Sequence, residues 1–209
     1  MKTFFKTPVL LCIFLFSTPH PEEYVSSIST ISTTDNTLTI SLYTPRGYGP
    51  FPAVIILPGG HGPKEIGKAW PHYHDYAKKL TGSGISAMVV NYSNPKRSFL
   101  DPKNIDDINV SIEFPKNQDR IQKQNIFLTG FSMGGANGLR VAGSGADIAG
   151  LICLFAPYDF RVSSKKLPFT INKQPIEYCD SITCPILILQ GAKDQITRVD
   201  QAILLQKKL

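Results

Sequence analysis

Residues 125–135 read Asn-Ile-Phe-Leu-Thr-Gly-Phe-Ser-Met-Gly-Gly, an apolar run that stops at a serine placed between glycines. The apolar run predicts a strand, the glycines predict a sharp turn, and the apolar spacing that follows predicts a helix. Gly130, Ser132 and Gly134 fit the G-x-S-x-G pattern of a nucleophile elbow, in which a strained backbone lifts the serine hydroxyl clear of the sheet. The pattern therefore predicts that Ser132 is a nucleophile.

A purely structural role for Ser132 is the alternative, because serine is also a favoured N-cap of helices. The flanking sequence favours catalysis, since the strand-like run Ile126–Leu128 precedes the turn and a helical pattern follows it. A serine hydroxyl is a weak nucleophile on its own. The site then also needs a base, an acid that orients the base, and N–H donors for an oxyanion.

Composition indicates one soluble globular domain, predicted over residues 21–209. The chain has 209 residues, of which 42% are hydrophobic, and this is enough to bury a single core. Its formal charge of +6 is spread along the sequence, so nucleic-acid binding is not predicted. No histidine and cysteine cluster has the spacing of a metal site, and no metal or organic cofactor is predicted.

The first 20 residues resemble an export signal. Lys2 and Lys6 precede the uninterrupted apolar run Val9–Phe16, which is the order of charged and apolar regions in a secretory signal. The run is too short to span a bilayer, so no stable membrane span is predicted. We expect a secreted or periplasmic protein, with an uncleaved anchor or a buried first strand as alternatives.

The rest of the chain predicts strands that alternate with helices, which is typical of an α/β fold with a mostly parallel sheet and helices on both faces. Two antiparallel strands are expected between Tyr24 and Ser41, with their turn at Asp35-Asn36. Further strands and helices are predicted as follows: strands at Ala53–Leu57, Ile85–Tyr92, Ile148–Phe155 and Pro185–Leu189, and helices from about Pro71, near Ile105–Phe114 and at Val199–Leu209.

Three strand-to-helix junctions are expected at the sheet edge where open α/β sheets bind ligands: Pro58–Gly62, Gly130–Gly135 and Gly191–Asp194. With Gly-Pro-Phe-Pro-Ala-Val, Gly-Phe-Ser-Met-Gly-Gly and Leu-Gln-Gly-Ala-Lys-Asp, the chain resembles the α/β-hydrolases over Ser41–Leu209. Within that superfamily it is most similar to the dienelactone hydrolase-like esterases. The resemblance implies the three-layer α/β-hydrolase fold.

The resemblance also implies roles for single residues. Ser132 is the implied nucleophile, and the oxyanion hole is implied to use the Met133 N–H and a second N–H from Gly60 or His61. Relatives named for dienelactone hydrolysis use a cysteine nucleophile. The serine found here favours a general hydrolase of carboxylic esters, with a small-molecule ester as substrate.

The sequence offers two candidates for the acid but no histidine at the position expected for the base. Asp194 occupies the position of the acid in the family, with Asp159, one strand earlier, as the alternative, and either could instead cap the next helix. The family order places a histidine after the acid. The four histidines here all precede Ser132: His20, His61, His72 and His74.

His61 is at the correct sheet edge and is a weak substitute for the missing base, whereas His72 and His74 are expected to be exposed helix residues. The sequence ends at Leu209, so we expect the last strand and helix of the fold to be missing and activity to be low. A non-catalytic or vestigial member of the fold is the alternative function. A serine peptidase or an acyltransferase would use the same elbow.

Overall fold

A computed structural model describes residues 24–60, 63–162 and 171–209, and for residues 63–68 it describes the backbone alone. The predicted signal segment, His20 and His61 lie outside the described residues. In the described part of the chain, no helix combines the length and the apolar character needed to cross a membrane.

Seven strands form one sheet: β1 (Tyr24–Ser32), β2 (Thr37–Pro45), β3 (Phe51–Leu57), β4 (Ser86–Asn91), β5 (Ile121–Phe131), β6 (Gly150–Leu154) and β7 (Ile186–Leu189). Their spatial order is β1-β2-β4-β3-β5-β6-β7. The pair β1 and β2 is antiparallel, as is β2 with β4, and the other neighbours are parallel. The predicted mostly parallel sheet is confirmed.

The helices are α1 (Pro63–Thr81), α2 (Lys103–Lys116), α3 (Met133–Gly143) and α4 (Val199–Lys208), with short 3-10 helices at Phe160–Val162 and Pro175–Ser181. The prediction that the first helix begins at about Pro71 is wrong. Proline favours the first position of a helix, and Pro63, not Pro71, holds that position. Pro71 lies inside α1.

Helices cover both faces of the sheet because alternate strand residues are apolar on both sides. In β3, Ile55 belongs to a buried cluster that includes Leu139 of α3 and Leu205 of α4. Its neighbour Ile56 belongs to a second cluster, which includes Ala77 of α1. The arrangement is the three-layer α/β fold that the sequence predicts.

The strand β7 lies at the edge of the sheet, beside β6. Among the described residues, no strand pairs with its outer side. Ile186 and Ile188 pack against the first cluster. Leu187 and Leu189 are 48% and 47% exposed.

Candidate active site

Ser132 joins β5 to α3 with a strained backbone, at φ 49° and ψ −115°. A positive φ is rare for a residue with a side chain and needs support from its surroundings. That support comes from the Ser132 N–H, which donates to the Leu154 carbonyl at 2.8 Å, and from the Ser132 carbonyl, which accepts the N–H of Gly135 at 2.9 Å. The Ser132 side chain makes no capping hydrogen bond to α3. The N-cap role therefore has no support in the hydrogen bonding.

Both glycines of the elbow are required by close packing. A Cβ on Gly130 would lie 2.4 Å from the backbone of Gly134 and Gly135. A Cβ on Gly134 would lie 2.1 Å from the carbonyl oxygen of Leu57, the last residue of β3. Real Cβ contacts do not come this close, so α3 can begin beside β3 only because these positions lack side chains.

The turn after β3 packs against the elbow. A Cβ on Gly59 would lie 2.6 Å from the Phe131 carbonyl oxygen and 3.0 Å from Ser132 Cβ. The backbone of this turn is thus in direct contact with the residue that carries the candidate nucleophile. Close backbone approach of this kind is how N–H groups are brought to an oxyanion.

The N–H groups of this region divide into engaged and unengaged donors. The Gly59 N–H donates to the Tyr73 hydroxyl at 3.0 Å, so it is not available to a substrate. The N–H groups of Gly60 and Met133 donate to no other described residue. These two remain the oxyanion candidates among the described residues, and His61 lies outside them.

Asp194 lies in the turn after β7, half-buried. Its Oδ1 accepts the N–H of Ile196 at 2.8 Å and that of Thr197 at 2.9 Å. From the described residues, its Oδ2 accepts only the longer bond from the Gln190 amide, at 3.2 Å. One carboxylate oxygen is therefore oriented by the turn, and the other has capacity for a further donor.

Asp159, which follows β6, is occupied differently. Arg161 binds both of its oxygens, with Nε at 2.9 Å from Oδ1 and Nη2 at 2.7 Å from Oδ2. The hydrogen bonds from Arg161 hold the pKa of Asp159 below its ordinary value of 3.8. A carboxylate already paired in this way is less suited to orient a histidine, which favours Asp194 as the acid.

Neither of the two described histidines, His72 and His74, forms a hydrogen bond with Ser132. His72 is exposed on α1. The expectation that His74 is also exposed is wrong, because it is half-buried beside Trp70 and its Nδ1 lies 2.6 Å from the Tyr43 hydroxyl. Burial, and then the charge of Lys78, lower the pKa of His74.

An apolar cavity of about 350 Å³ borders the elbow. Its lining consists of Ala69, His72, Tyr73, Tyr76, Phe131, Leu154 and Phe155. The Phe131 ring lies edge-on to three of these aromatic rings, at centroid distances of 5.3 to 6.0 Å. Apolar volume thus lies directly beside the residue that precedes Ser132, as is usual for small-molecule sites.

Two residues of this region do not emerge from the sequence as parts of a site. Tyr73 is predicted only as an apolar-face residue of the first helix, and Tyr92 only as the end of a strand. Their hydroxyls contact the turn at Pro58 and Gly59. The one signal in the sequence is that a buried tyrosine hydroxyl needs a partner, and it does not say which.

Comparison with known proteins agrees with this geometry. The family model of the dienelactone hydrolase family matches residues 96–209, more than half of the chain, including the elbow, Asp159 and Asp194. No curated protein matches the sequence significantly.

Solved structures with a similar fold include a carboxylesterase of Lactobacillus plantarum at 17% identity, with a TM-score of 0.69 over 88% of this chain and 78% of that one. A sugar hydrolase of Lactococcus lactis has 19% identity and a TM-score of 0.70, over 88% and 78%. An esterase of Pyrococcus furiosus has 17% identity and a TM-score of 0.68, and the match covers 88% of this chain and 78% of that one. The chain has the α/β-hydrolase fold and belongs to the dienelactone hydrolase family, a family of hydrolases that act on esters.

Proposed function

We propose that this protein is a serine hydrolase that cleaves carboxylic esters of small molecules through an acyl-enzyme at Ser132. The observation that carries the proposal is the strained Ser132 backbone, with φ 49° and a side chain that does not cap α3. Strain of this kind is retained at functional sites. The esterases among the similar structures, which share the fold, add support.

In the proposed reaction, Ser132 Oγ bonds to the ester carbonyl carbon while its proton passes to a base. The carbonyl oxygen becomes an oxyanion, which the N–H of Met133 and that of Gly60 or His61 stabilise. The carbon–oxygen bond to the alcohol then breaks, and the alcohol takes the proton from the base. Water attacks the acyl-enzyme by the same route and releases the acid and Ser132.

The base requires its own experiment. Asp194 is proposed to orient it, yet none of the four histidines follows Asp194 in the sequence, and His61, close after the turn that follows β3, is proposed as a substitute. Without a base, the oxyanion hole and substrate binding alone give about 10³–10⁴ over water. Dissolved imidazole should then raise ester turnover of this chain and leave the Ser132→Ala variant unchanged. If His61→Ala abolishes turnover, His61 is the base and the family order does not hold here.

The nucleophile is tested with a fluorophosphonate probe, which forms a covalent bond with an activated serine. The native chain should be labelled at Ser132, and Ser132→Ala should remain unlabelled. Ser144→Ala is a matched control, because Ser144 bonds to the Arg140 carbonyl at the far end of α3 and should not affect labelling. Labelling that survives Ser132→Ala would reject the assignment. Absence of both labelling and ester turnover would favour the non-catalytic alternative.

We further propose that residues 1–20 direct export, on the evidence of Lys2, Lys6 and the apolar run Val9–Phe16. The protein would then act in the periplasm or outside the cell. Mass spectrometry of the native protein should find a mature chain without Met1. Recovery of a chain that begins at Met1 from the cytosol would contradict export.

A further inference from the structure

Both polar atoms of the peptide group between Pro58 and Gly59 are bonded to tyrosine hydroxyls. The Gly59 N–H donates to Tyr73 Oη at 3.0 Å, and Tyr92 Oη donates to the Pro58 carbonyl oxygen at 3.3 Å. Tyr73 belongs to the buried cluster beneath α1, whereas Tyr92 belongs to the cluster on the opposite face of the sheet. One peptide group is therefore held from both faces.

The Tyr92 hydroxyl is itself fixed by the helix that begins at the elbow. The Asn137 side-chain amide of α3 donates to Tyr92 Oη at 3.3 Å and to the Phe99 carbonyl at 2.9 Å. Its oxygen accepts from Arg140 Nη1 at 2.8 Å, which sets the orientation of the amide. The turn after β3 is thus connected through Tyr92 and Asn137 to α3.

The side chains that make these contacts are buried. Tyr73 and Tyr92 are 8% and 5% exposed. Burial raises the pKa of Tyr92 to about 12 and also raises the pKa of Tyr73, so both hydroxyls keep their protons at neutral pH. A buried peptide group that lost either partner would be left unsatisfied.

The restraint matters because the turn has little stiffness of its own. Gly59 and Gly60 lack side chains, and Gly60 has φ 111°, in the region that favours glycine. The carbonyl and N–H of a trans peptide point in opposite directions, so bonding both prevents rotation of the peptide plane. The direction of the next N–H along the chain, that of Gly60, then depends on the torsion angles of Gly59, which packs on Ser132.

We propose that Tyr73 and Tyr92 are positioning residues that hold the Pro58–Gly59 peptide so that the Gly60 N–H faces the oxyanion formed at Ser132. This inference rests on the proposed function of Ser132. The two hydroxyls bond to the backbone of the turn. They act through the backbone of the turn.

The test uses Tyr73→Phe and Tyr92→Phe, which remove one hydroxyl each and keep the ring. The first readout does not depend on catalysis: amide hydrogen exchange of Gly59, followed by NMR, should become at least about 10-fold faster in Tyr73→Phe, because its hydrogen bond is lost. The second is ester turnover, in which kcat should fall about 10-fold or more in each variant while KM stays nearly constant, as for loss of oxyanion stabilisation. The fall in kcat is also expected if the native chain turns over ester slowly, because the oxyanion hole accelerates the reaction even without a base.

Tyr43→Phe is the matched control. It removes another tyrosine hydroxyl that bonds a side chain of α1, at His74, with no contact to the turn. Gly59 exchange and kcat should both match the native protein.

Three outcomes would count against the inference or its basis, and they are distinguishable. Unchanged Gly59 exchange in Tyr73→Phe would overturn the restraint, whatever the activity. Faster exchange with unchanged kcat would overturn its role in catalysis. Faster exchange in Tyr73→Phe, together with no ester turnover by the native protein, would support the restraint and reject the proposed function.

Discussion

Gly134 lies where the first turn of α3 meets the end of β3, and the space there is filled by backbone. An added Cβ would be 2.1 Å from the Leu57 carbonyl oxygen and 2.7 Å from that of Pro58. Neither obstacle is a flexible side chain, so relief would require α3 or β3 to move. The nucleophile pattern thus reflects a packing requirement as much as a chemical one.

Gly134→Ala should therefore destabilise the fold by about 1–3 kcal/mol or more, the usual cost of overpacking a core. Urea unfolding measures the change in free energy. Gly191→Ala is the control, because the nearest atom to its added Cβ would be 3.7 Å away, and it should change stability by less than about 0.5 kcal/mol. Equal stability of Gly134→Ala and the native chain would mean that the elbow is less tightly packed than described.

The two candidate acids should respond differently to loss of charge. Asp194→Asn should lower kcat on a short-chain ester by up to about 10⁴ in a chain with a working base, as in other triads. Asp159→Asn should lower it much less, because Arg161 already occupies both oxygens of Asp159. Steady-state kinetics of the two variants decide, and the reverse ranking would identify Asp159 as the acid.

Asp159 should instead affect stability, in a pH-dependent way. Its pKa in the folded protein is below the ordinary 3.8, mainly through hydrogen bonds from Arg161. A lowered pKa stabilises the fold at pH values above the pKa that the group has in the unfolded chain. The stabilisation is lost as the pH falls through the pKa of the group in the folded protein. Asp159→Asn should therefore be less stable than the native chain at pH 7, with a smaller difference at pH 3. A difference that does not shrink at pH 3 would contradict the ion pair.

Among the secondary structure elements, the β1–β2 turn is attached to α2 by a buried charged group. Asp107 of α2, with its side chain 2% exposed, accepts from Thr33 and Asn36 of the turn at 2.7 Å each. Arg97, from the loop after β4, donates to Asp107 at 2.7 Å and also pairs with Asp35. The β1–β2 turn, the loop after β4 and α2 therefore meet at one carboxylate.

Asp107→Asn should destabilise the protein by an amount near the lower end of about 3–5 kcal/mol, because it removes one partner of a buried ion pair while Asp35 still pairs with Arg97. The double variant Arg97→Met with Asp107→Asn should lose less than the sum of the single changes, since no buried charge is then left unpaired. Glu113→Gln, in the exposed pair with Lys116 on the same helix, should change stability by at most about 1 kcal/mol. Additive effects in the double variant would show that Arg97 and Asp107 act independently.

Elements were predictable where the signal is local. The apolar runs of β3, β4 and β5 predicted buried parallel strands, and Asp35-Asn36 predicted the first turn. The start of α1 was not predictable from Pro71, because Pro63 is also suited to the first position of a helix and is the residue found there. The elbow at Ser132 follows from adjacent residues, which is why the sequence is sufficient to predict it.

Contacts between residues that are distant in sequence were not predictable. The bonds of Tyr73 and Tyr92 to the turn after β3, and of Asp107 to Asn36, depend on how the sheet brings the segments together. A single sequence contains no pattern for them. Asp159 is a different case, because its partner Arg161 is only two residues away, and this spacing alone does not show whether the two side chains pair.

At the scale of the whole molecule, the sheet has two edge strands, β1 and β7. The β1–β2 hairpin forms one end, with Asp107 and Arg97 holding its turn. At the other end, β7 has no neighbour among the described residues on its outer side, and Leu187 and Leu189 are nearly half exposed. An open, apolar edge strand is a template for pairing with another chain.

This edge should govern self-association of the 209-residue protein, and charge on β7 should suppress it. Leu187→Lys should raise the monomer fraction at high protein concentration, because a lysine on an edge strand disfavours pairing with a second strand. Ile203→Lys is matched in chemistry and in exposure, at 42% against 48%, but it lies on α4 and not on a strand. Light scattering after size-exclusion chromatography measures the monomer fraction of each. A gain confined to Leu187→Lys would identify the strand edge as the cause, whereas an equal gain in both variants would attribute association to general surface apolarity and reject the edge.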